Sequence, residues 1–246
     1  MNNCENFNEI VVGNYCANCG QSVKLSRIDG SYIINEITNS FLAKRGILYT
    51  VKKMLISPGE NVKLYINKNR SMYIKPITFV IITSLIYTLV CHFFNIDADE
   101  FQQQMNLSSE SLEIVPSSTL ITNWVIDYSG YASIILGFFM AFWVKLIFRK
   151  YPYNLFEIFV LFCYISGITT LISSVIYIIQ GLTHYHLINF SVLITVIYTT
   201  WAIGQFFDKR KVGSYIKAFF SYLVNLFAAV ILLGFIMVFI DVVLKG

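Results

Sequence analysis

Residues 77–95, ITFVIITSLIYTLVCHFFN, contain no Asp, Glu, Lys or Arg. As an α-helix this stretch would rise roughly 29 Å, which is about the thickness of one hydrocarbon core. In lipid a continuous apolar run must be helical, because every backbone polar group needs an internal partner. Four further stretches have the same character: 128–148, 155–180, 187–207 and 215–244. The sequence therefore predicts an all-α membrane protein whose five transmembrane helices form a bundle over residues 77–246.

The composition agrees with a membrane protein and excludes an ordinary soluble domain. Hydrophobic residues make up 56% of the chain and charged residues only 13%, whereas soluble domains carry about 25% charged residues. The first 30 residues lack the apolar core of a cleavable signal peptide, so we expect the N-terminal region to stay attached. We expect lipid, and not nucleic acid, to be the partner of the basic residues.

The distribution of charge predicts the orientation in the membrane. Residues 1–76 carry ten Lys or Arg, whereas segment 96–127 carries none and holds six acidic residues. Basic residues return at 145–150 and again at 209–211, so basic and non-basic loops alternate. By the positive-inside rule, we expect a multi-pass protein of a bacterial inner membrane, with its N-terminus cytoplasmic and its C-terminus extracytoplasmic.

The first 26 residues resemble a zinc ribbon that has lost one ligand. Cys16 and Cys19 form a Cys-x-x-Cys knuckle followed by Gly20, and Cys4 begins a second pair in which Phe7 occupies the other ligand position. Three interpretations remain open: a three-cysteine zinc site completed by another donor, a metal-free remnant in which Phe7 fills the space of the metal, and a redox pair of Cys16 and Cys19. We expect partial or no zinc occupancy in this head.

Residues 27–76 form a basic juxtamembrane region. Apolar residues recur at helical spacing from Ile34 to Leu55, and basic residues fall between them. Ser57-Pro58-Gly59 should stop this amphipathic helix. It lies either on the inner leaflet or against the protein's own cytoplasmic side. If it lies on lipid, the residues that contact anionic headgroups are Lys44, Arg45, Lys52, Lys53, Lys63, Lys68, Arg70 and Lys75.

Residues 57–76, SPGENVKLYINKNRSMYIKP, contain a motif made of Pro58, Gly59, Tyr65, Arg70, Tyr73 and Pro76. Together with the cysteine knuckle and the amphipathic segment, this motif resembles a bacterial family of membrane proteins of unknown function. The resemblance covers residues 4–80. The chain departs from the family pattern at Phe7, which replaces a ribbon cysteine, and at Asn67, where glycine is usual. The resemblance implies no known activity.

Small residues recur every four positions on two of the predicted spans, and such ridges allow helices to approach closely. We expect them to pack helices within one chain, or alternatively to line a pore or a subunit interface. No span carries an ionisable residue near its centre, and Glu157 and Lys145 lie at a depth where they could pair across a helical hairpin. The ridge residues are Ser129, Ser133, Gly137 and Ala141 on the second span, and Ser166, Thr170 and Ser174 on the third.

Three functions remain open at this point. The first is a non-enzymatic membrane module whose cytoplasmic head docks a protein partner, a second copy included, or senses a state. The second is a passive channel, lipid-handling protein or permease, which a polar cavity lined by Thr195, Thr199, Gln205 and Asn225 would favour. The third, a membrane enzyme, is the least favoured, because no nucleophile, base and orienting group converge in the sequence. Zinc is the cofactor that the sequence suggests.

Overall fold

The computed structural model describes residues 2–4, 10–11, 13–20, 22, 27–30, 47–68, 70–94, 128–183 and 185–245. The predicted acidic loop 96–127 and the first part of the amphipathic segment, 31–46, lie outside these residues. Near the N-terminus, strand β1 (Asn2–Asn3) pairs antiparallel with strand β2 (Ile10–Val11). An isolated bridge joins Tyr15 and Ser22, and from residue 47 onward the described chain is helical or connects helices.

Two short helices precede the bundle: α1 (Ile47–Ile56) and α2 (Pro58–Asn67). A 3-10 turn, Arg70–Met72, then leads into α3 (Pro76–Phe93). Both α2 and α3 begin at a proline, whose fixed φ and missing N–H suit the first position of a helix. The remaining helices are α4 (Ser129–Ile147), α5 (Leu155–Thr183), α6 (Ile188–Asp208) and α7 (Val212–Lys245).

Four helical segments are long and apolar enough to cross a membrane: Arg70–Phe93, Gly130–Ile147, Leu155–Thr183 and Ile188–Asp208. They coincide with the first four predicted spans, and their length and composition are consistent with a multi-pass membrane protein. The predicted fifth span, 215–244, lies within α7, whose apolar described part, Val212–Ala228, is shorter.

Helix α5 is the centre of the bundle. It packs against α3, α4 and α6 and also against α1 and α2, whereas α7 packs on α6 and α4. The approach of α5 to α3 is close at Gly167, where an added Cβ would meet the ring of Phe79 at 2.5 Å. Tyr164 and Ile168 on α5 are fully buried. Small residues at such crossings permit close packing, which drives helix association in lipid.

Candidate metal centre and its attachment to the bundle

The three head cysteines meet in space. The sulfur atoms of Cys4, Cys16 and Cys19 all lie within 4.8 Å of one another, and those of Cys4 and Cys19 are 3.5 Å apart. Cys4 follows directly after β1, and the pairing of β1 with β2 positions it. Cys16 and Cys19 lie on a tight turn in which the Gly20 N–H donates to the Cys16 carbonyl at 2.7 Å. Gly20 has φ +70°, a left-handed conformation that favours glycine.

This spacing fits a tetrahedral thiolate site. With zinc–sulfur bonds of about 2.3 Å, two thiolates on one zinc ion are about 3.8 Å apart. This distance is close to the 3.5 Å between the sulfur atoms of Cys4 and Cys19, and all three sulfur atoms lie within 4.8 Å of one another. Cys4 and Cys16 are buried and Cys19 is partly exposed, so a fourth donor would approach from the side of Cys19. Phe7, at the fourth ligand position of the ribbon pattern, lies outside the described residues. Three cysteines could therefore hold a metal ion here, and a redox pair of Cys16 and Cys19 alone does not explain why Cys4 joins them.

The segment that follows the head is attached to the first turn of α5. Arg27 Nε donates to Glu157 Oε1 at 3.0 Å, and its Nη2 donates to the Pro152 carbonyl at 2.8 Å. Asn154 Nδ2 donates to the Ile28 carbonyl at 2.8 Å, and the Ile28 side chain is fully buried. The hydrogen bond and the charge of Glu157 raise the pKa of Arg27.

Glu157 is oriented by the start of its own helix. The Glu157 N–H donates to Asn154 Oδ1 and the Asn154 N–H donates to Glu157 Oε2, both at 2.8 Å, which is a capping-box arrangement. The predicted pairing of Glu157 with Lys145 is wrong. The Glu157 carboxylate forms an ion pair with Arg27 instead, and Lys145 Nζ donates to the Tyr153 carbonyl. Arg27 lies 130 positions before Glu157 in the chain, so no local pattern could have identified it.

Helix α2 is docked on α6 at the motif glycine. The Gly59 N–H donates to Gln205 Oε1 at 2.8 Å. A Cβ on Gly59 would lie 2.3 Å from the backbone nitrogen of Phe206, so any larger residue would collide with the α6 backbone. Glycine at this position therefore permits direct backbone contact between the two helices.

The motif tyrosines anchor the same region. Tyr73 OH donates to Asn61 Oδ1 at 2.7 Å, and Asn61 Nδ2 donates to the Ser57 carbonyl at 2.7 Å, which ties the turn before α3 to the turn between α1 and α2. Tyr65 is fully buried, with its ring edge-on to Tyr164 of α5 at 5.5 Å between centroids. These buried polar groups are hydrogen-bonded, as burial requires.

A family described as "Protein of unknown function (DUF3667)" matches residues 45–88. The matched segment contains α1, α2 and most of α3, and therefore the whole motif, whereas its docking partners on α5 and α6 lie outside the match. The similarity to a family of unknown function is thus confirmed for this segment, and the head cysteines lie outside the match. No curated protein and no solved structure matches the chain.

The predicted headgroup residues are placed as follows. Lys44 and Arg45 lie outside the described residues; Lys52, Lys53 and Lys68 are exposed; Lys63, Arg70 and Lys75 are partly buried.

Helix α1 has two faces: Thr50 and Met54 are buried against the protein, whereas Leu48 is 81% and Ile56 is 61% exposed. One face of α1 thus packs on the protein, and the opposite face, which carries apolar side chains and lysines, is exposed. The matched segment therefore combines protein docking with an uncovered amphipathic surface.

The small-residue ridges lie between helices only in part. On α4, Ala141 is buried, and an added Cβ on Gly137 would reach Phe162 of α5 at 3.5 Å; Ser133 is partly exposed, and nothing is described for the side chain of Ser129. On α5 the ridge hydroxyls bond within their own helix. Ser166 donates to the Cys163 carbonyl at 3.1 Å, and Ser174 donates to the carbonyl of the partly exposed Thr170 at 2.8 Å.

The residues expected to line a polar cavity do not all face one. Gln205 is engaged by Gly59, Thr199 and Asn225 are buried, and Thr195 is partly buried. Sequence reasoning missed the roles of Arg27 and Gln205, whose partners lie 130 and 146 positions away, and the role of Asn61, which accepts from Tyr73 12 positions away. One signal was available: Asn154 lies three residues before Glu157 at the start of an apolar run, which is the sequence pattern of a helix N-terminus.

Proposed function

We propose that this multi-pass membrane protein is a non-enzymatic module whose N-terminal head binds zinc through Cys4, Cys16 and Cys19 and reports the metal state to the bundle. The observation that carries the proposal is the clustering of the three sulfur atoms within 4.8 Å. With the orientation that we infer from charge, and five spans including α7, the head faces a reducing cytoplasm in which thiols stay reduced.

Three protein thiolates leave one zinc coordination position for a water molecule, a nearby carboxylate or a partner's side chain. A closed four-cysteine site would hold zinc as a permanent structural ion, whereas an open three-cysteine site exchanges it more readily. This is the property that a head sensing a state, or docking a partner that supplies the fourth ligand, would need.

The connection from head to bundle is direct. Residues 27–30 follow the head, and Arg27 is fixed to the buried Glu157 at the first turn of α5, the central helix. A change in the head that moves this segment would break a charge-assisted hydrogen bond at the first turn of the central helix. The passive-channel alternative has less support, because Thr195, Thr199 and Asn225 do not line the polar cleft that Gln205 borders.

The test is zinc binding by the full chain, purified in detergent under reducing conditions. We expect one zinc ion per chain that a competing chelator removes readily, and a sulfur-to-cobalt charge-transfer absorption when Co²⁺ replaces zinc. Serine replacement of Cys4, Cys16 or Cys19 should each reduce the affinity and the absorption. The matched controls are Cys91→Ser and Cys163→Ser, which change cysteines buried in the bundle and should bind zinc as the unmodified protein does.

Two results would overturn the proposal. The first is absence of zinc and cobalt binding by fully reduced protein whose bundle is folded. The second is equal loss of binding in the head variants and the bundle variants, which would show that the metal does not bind at the cluster.

A further inference from the structure

A cleft of about 490 Å³ opens between α2 and the end of α6, at the same end of the bundle as α1. It is lined mostly by polar and charged residues, together with Leu64 and Phe207, from two parts of the chain that are far apart in sequence. Among the lining residues are Glu60, Lys63 and Lys68 from α2 and its end, and Gln205, Lys209 and Arg210 from α6 and the turn that follows. The cleft is separate from the cysteine cluster of the head.

The carboxylates of this cleft are already engaged by cations. Lys209 forms an ion pair with Glu60, and Lys211 Nζ lies 3.1 Å from Asp208 Oδ2. The Arg210 backbone N–H also donates to Asp208 Oδ1 at 3.1 Å. Among the described residues, the side chains of Lys63 and Arg210 have no carboxylate within ion-pair distance. The cleft therefore presents positive charge that its own acidic residues do not neutralise.

Lys63 is held in place at the cleft wall. Its ammonium lies 5.8 Å from the centroid of the Phe206 ring, and its Nζ is 3.5 Å from the Phe207 carbonyl. The side chain is partly buried, and this burial lowers the pKa of Lys63. A cation that has lost part of its hydration gains more from an incoming anion than a fully solvated lysine does.

Gln205 adds an oriented neutral donor to the same cleft. Its Oε1 accepts the Gly59 N–H, so its remaining polar group is the NH₂, which can only donate. An ammonium, a guanidinium and an amide NH₂ are the groups that bind phosphate oxygens, and arginine does so with two parallel hydrogen bonds.

We propose that this cleft binds a phosphate group, with Lys63 and Arg210 as its charged contacts and Gln205 as a neutral donor. Two sources of that chemistry fit. One is the phosphodiester of an anionic phospholipid, because the turn that supplies Arg210 directly follows the apolar segment Ile188–Asp208. The other is a soluble phosphate or phosphomonoester, because the cleft is open to solvent. The proposal is independent of metal binding by the head.

The experiment uses the full chain in nanodiscs. In one arm the bilayer is phosphatidylcholine alone, and inorganic phosphate is titrated while binding is followed by ³¹P line broadening. In the other arm the bilayer is a mixture of phosphatidylcholine and phosphatidylglycerol, and native mass spectrometry measures the retained phosphatidylglycerol. Binding in the first arm identifies a soluble phosphate as the ligand. Selective retention in the second identifies a lipid headgroup. Either result supports the proposal.

The variants are Lys63→Met, which keeps an apolar stem over Phe206, and Arg210→Gln. Each should weaken binding by about tenfold, the effect of losing one hydrogen bond between charged groups. The matched control is Lys150→Met, because Lys150 is an exposed lysine on the turn between α4 and α5, outside the cleft and outside the residues predicted to contact headgroups. The control should bind within about twofold of the unmodified protein.

Three outcomes would overturn the proposal: no binding in either arm, equal weakening by the control and the cleft variants, or no weakening by Arg210→Gln. The second of these would show attraction to a general basic surface. Arg210 lies on an exposed turn, so its replacement tests the cleft even if Lys63→Met fails to fold.

Discussion

Replacement of Gly59 by alanine tests whether α2 is docked on α6 through direct backbone contact. The new Cβ would lie 2.3 Å from the Phe206 nitrogen, 2.6 Å from the Gln205 carbonyl carbon and 2.7 Å from the Phe206 Cα. All three are backbone atoms of a long helix, so no side-chain rotation can relieve the collision. The two helices must separate, and the hydrogen bond from the Gly59 N–H to Gln205 must lengthen or break.

The expected loss of stability follows from three contributions. Overpacking against a rigid neighbour costs about 1–3 kcal/mol, and the weakened hydrogen bond costs about 0.5–1.5 kcal/mol. Alanine is favoured over glycine within a helix by about 1 kcal/mol, which offsets part of the cost. The packing cost is larger than the helical gain, so we expect Gly59→Ala to lower the free energy of unfolding by roughly 2 kcal/mol.

The assay is reversible unfolding of the purified chain in mixed micelles of a mild detergent and dodecyl sulfate. Gly213→Ala is the matched control, because Gly213 is likewise the second residue of its helix, and an added Cβ there meets nothing within 4 Å. The control should be neutral or stabilising by up to about 1 kcal/mol. If Gly59→Ala unfolds with the same free energy as the control, α2 does not pack on α6 and the reasoning about the motif fails.

Three further predictions concern charge and topology. Replacement of Glu157 by Gln should leave the unfolding of the bundle nearly unchanged and accelerate tryptic cleavage after Arg27, since the docked segment loses its charged partner; unchanged cleavage would show that the segment is held by other contacts. Burial lowers the pKa of Lys63 in the folded chain below its ordinary value of 10.5. At a pH between the lowered pKa and 10.5, the unfolded chain binds more protons than the folded chain, so stability rises with pH. Lys63→Met should remove that part of the rise, and identical pH profiles would refute it. Reporter fusions after Gln104 and after Gly246 should both read extracytoplasmic, and a cytoplasmic signal at either position would refute the inferred orientation.

Hydropathy was sufficient to predict the four long apolar helices. The predicted span 155–180 became α5, Leu155–Thr183, and 187–207 became α6, Ile188–Asp208. The boundaries agree within three residues, because a helix in lipid must continue while its side chains are apolar and ends where polar groups can reach water. The clustering of Cys16 and Cys19 was also predictable, because their spacing fixes a tight turn regardless of the remaining fold.

The juxtamembrane region could be predicted only in part. Ser57-Pro58-Gly59 was correctly expected to end a helix, yet the same proline also begins α2, a helix that the Pro-Gly pattern did not predict. The reason is that proline is unfavourable inside a helix and favourable at its first position. Gly59 was assigned to the break, whereas its structural importance is the contact with α6, 146 positions away. Such a contact leaves no periodic signal in the sequence.

The attachment of the head and the phosphate cleft lie on one continuous layer of aromatic rings. Tyr153, just before the helix that carries Glu157, packs on Phe206 at 4.5 Å between ring centroids. Phe206 in turn packs on Phe207 at 5.1 Å and lies beneath the ammonium of Lys63. Packed aromatic side chains cannot shift singly, because close-packed interiors leave no space for them. A displacement of the α5 N-terminus that follows release of the head would therefore reach the wall of the cleft. Any resulting coupling between metal in the head and phosphate in the cleft must be reciprocal, since each ligand changes the affinity for the other by the same factor.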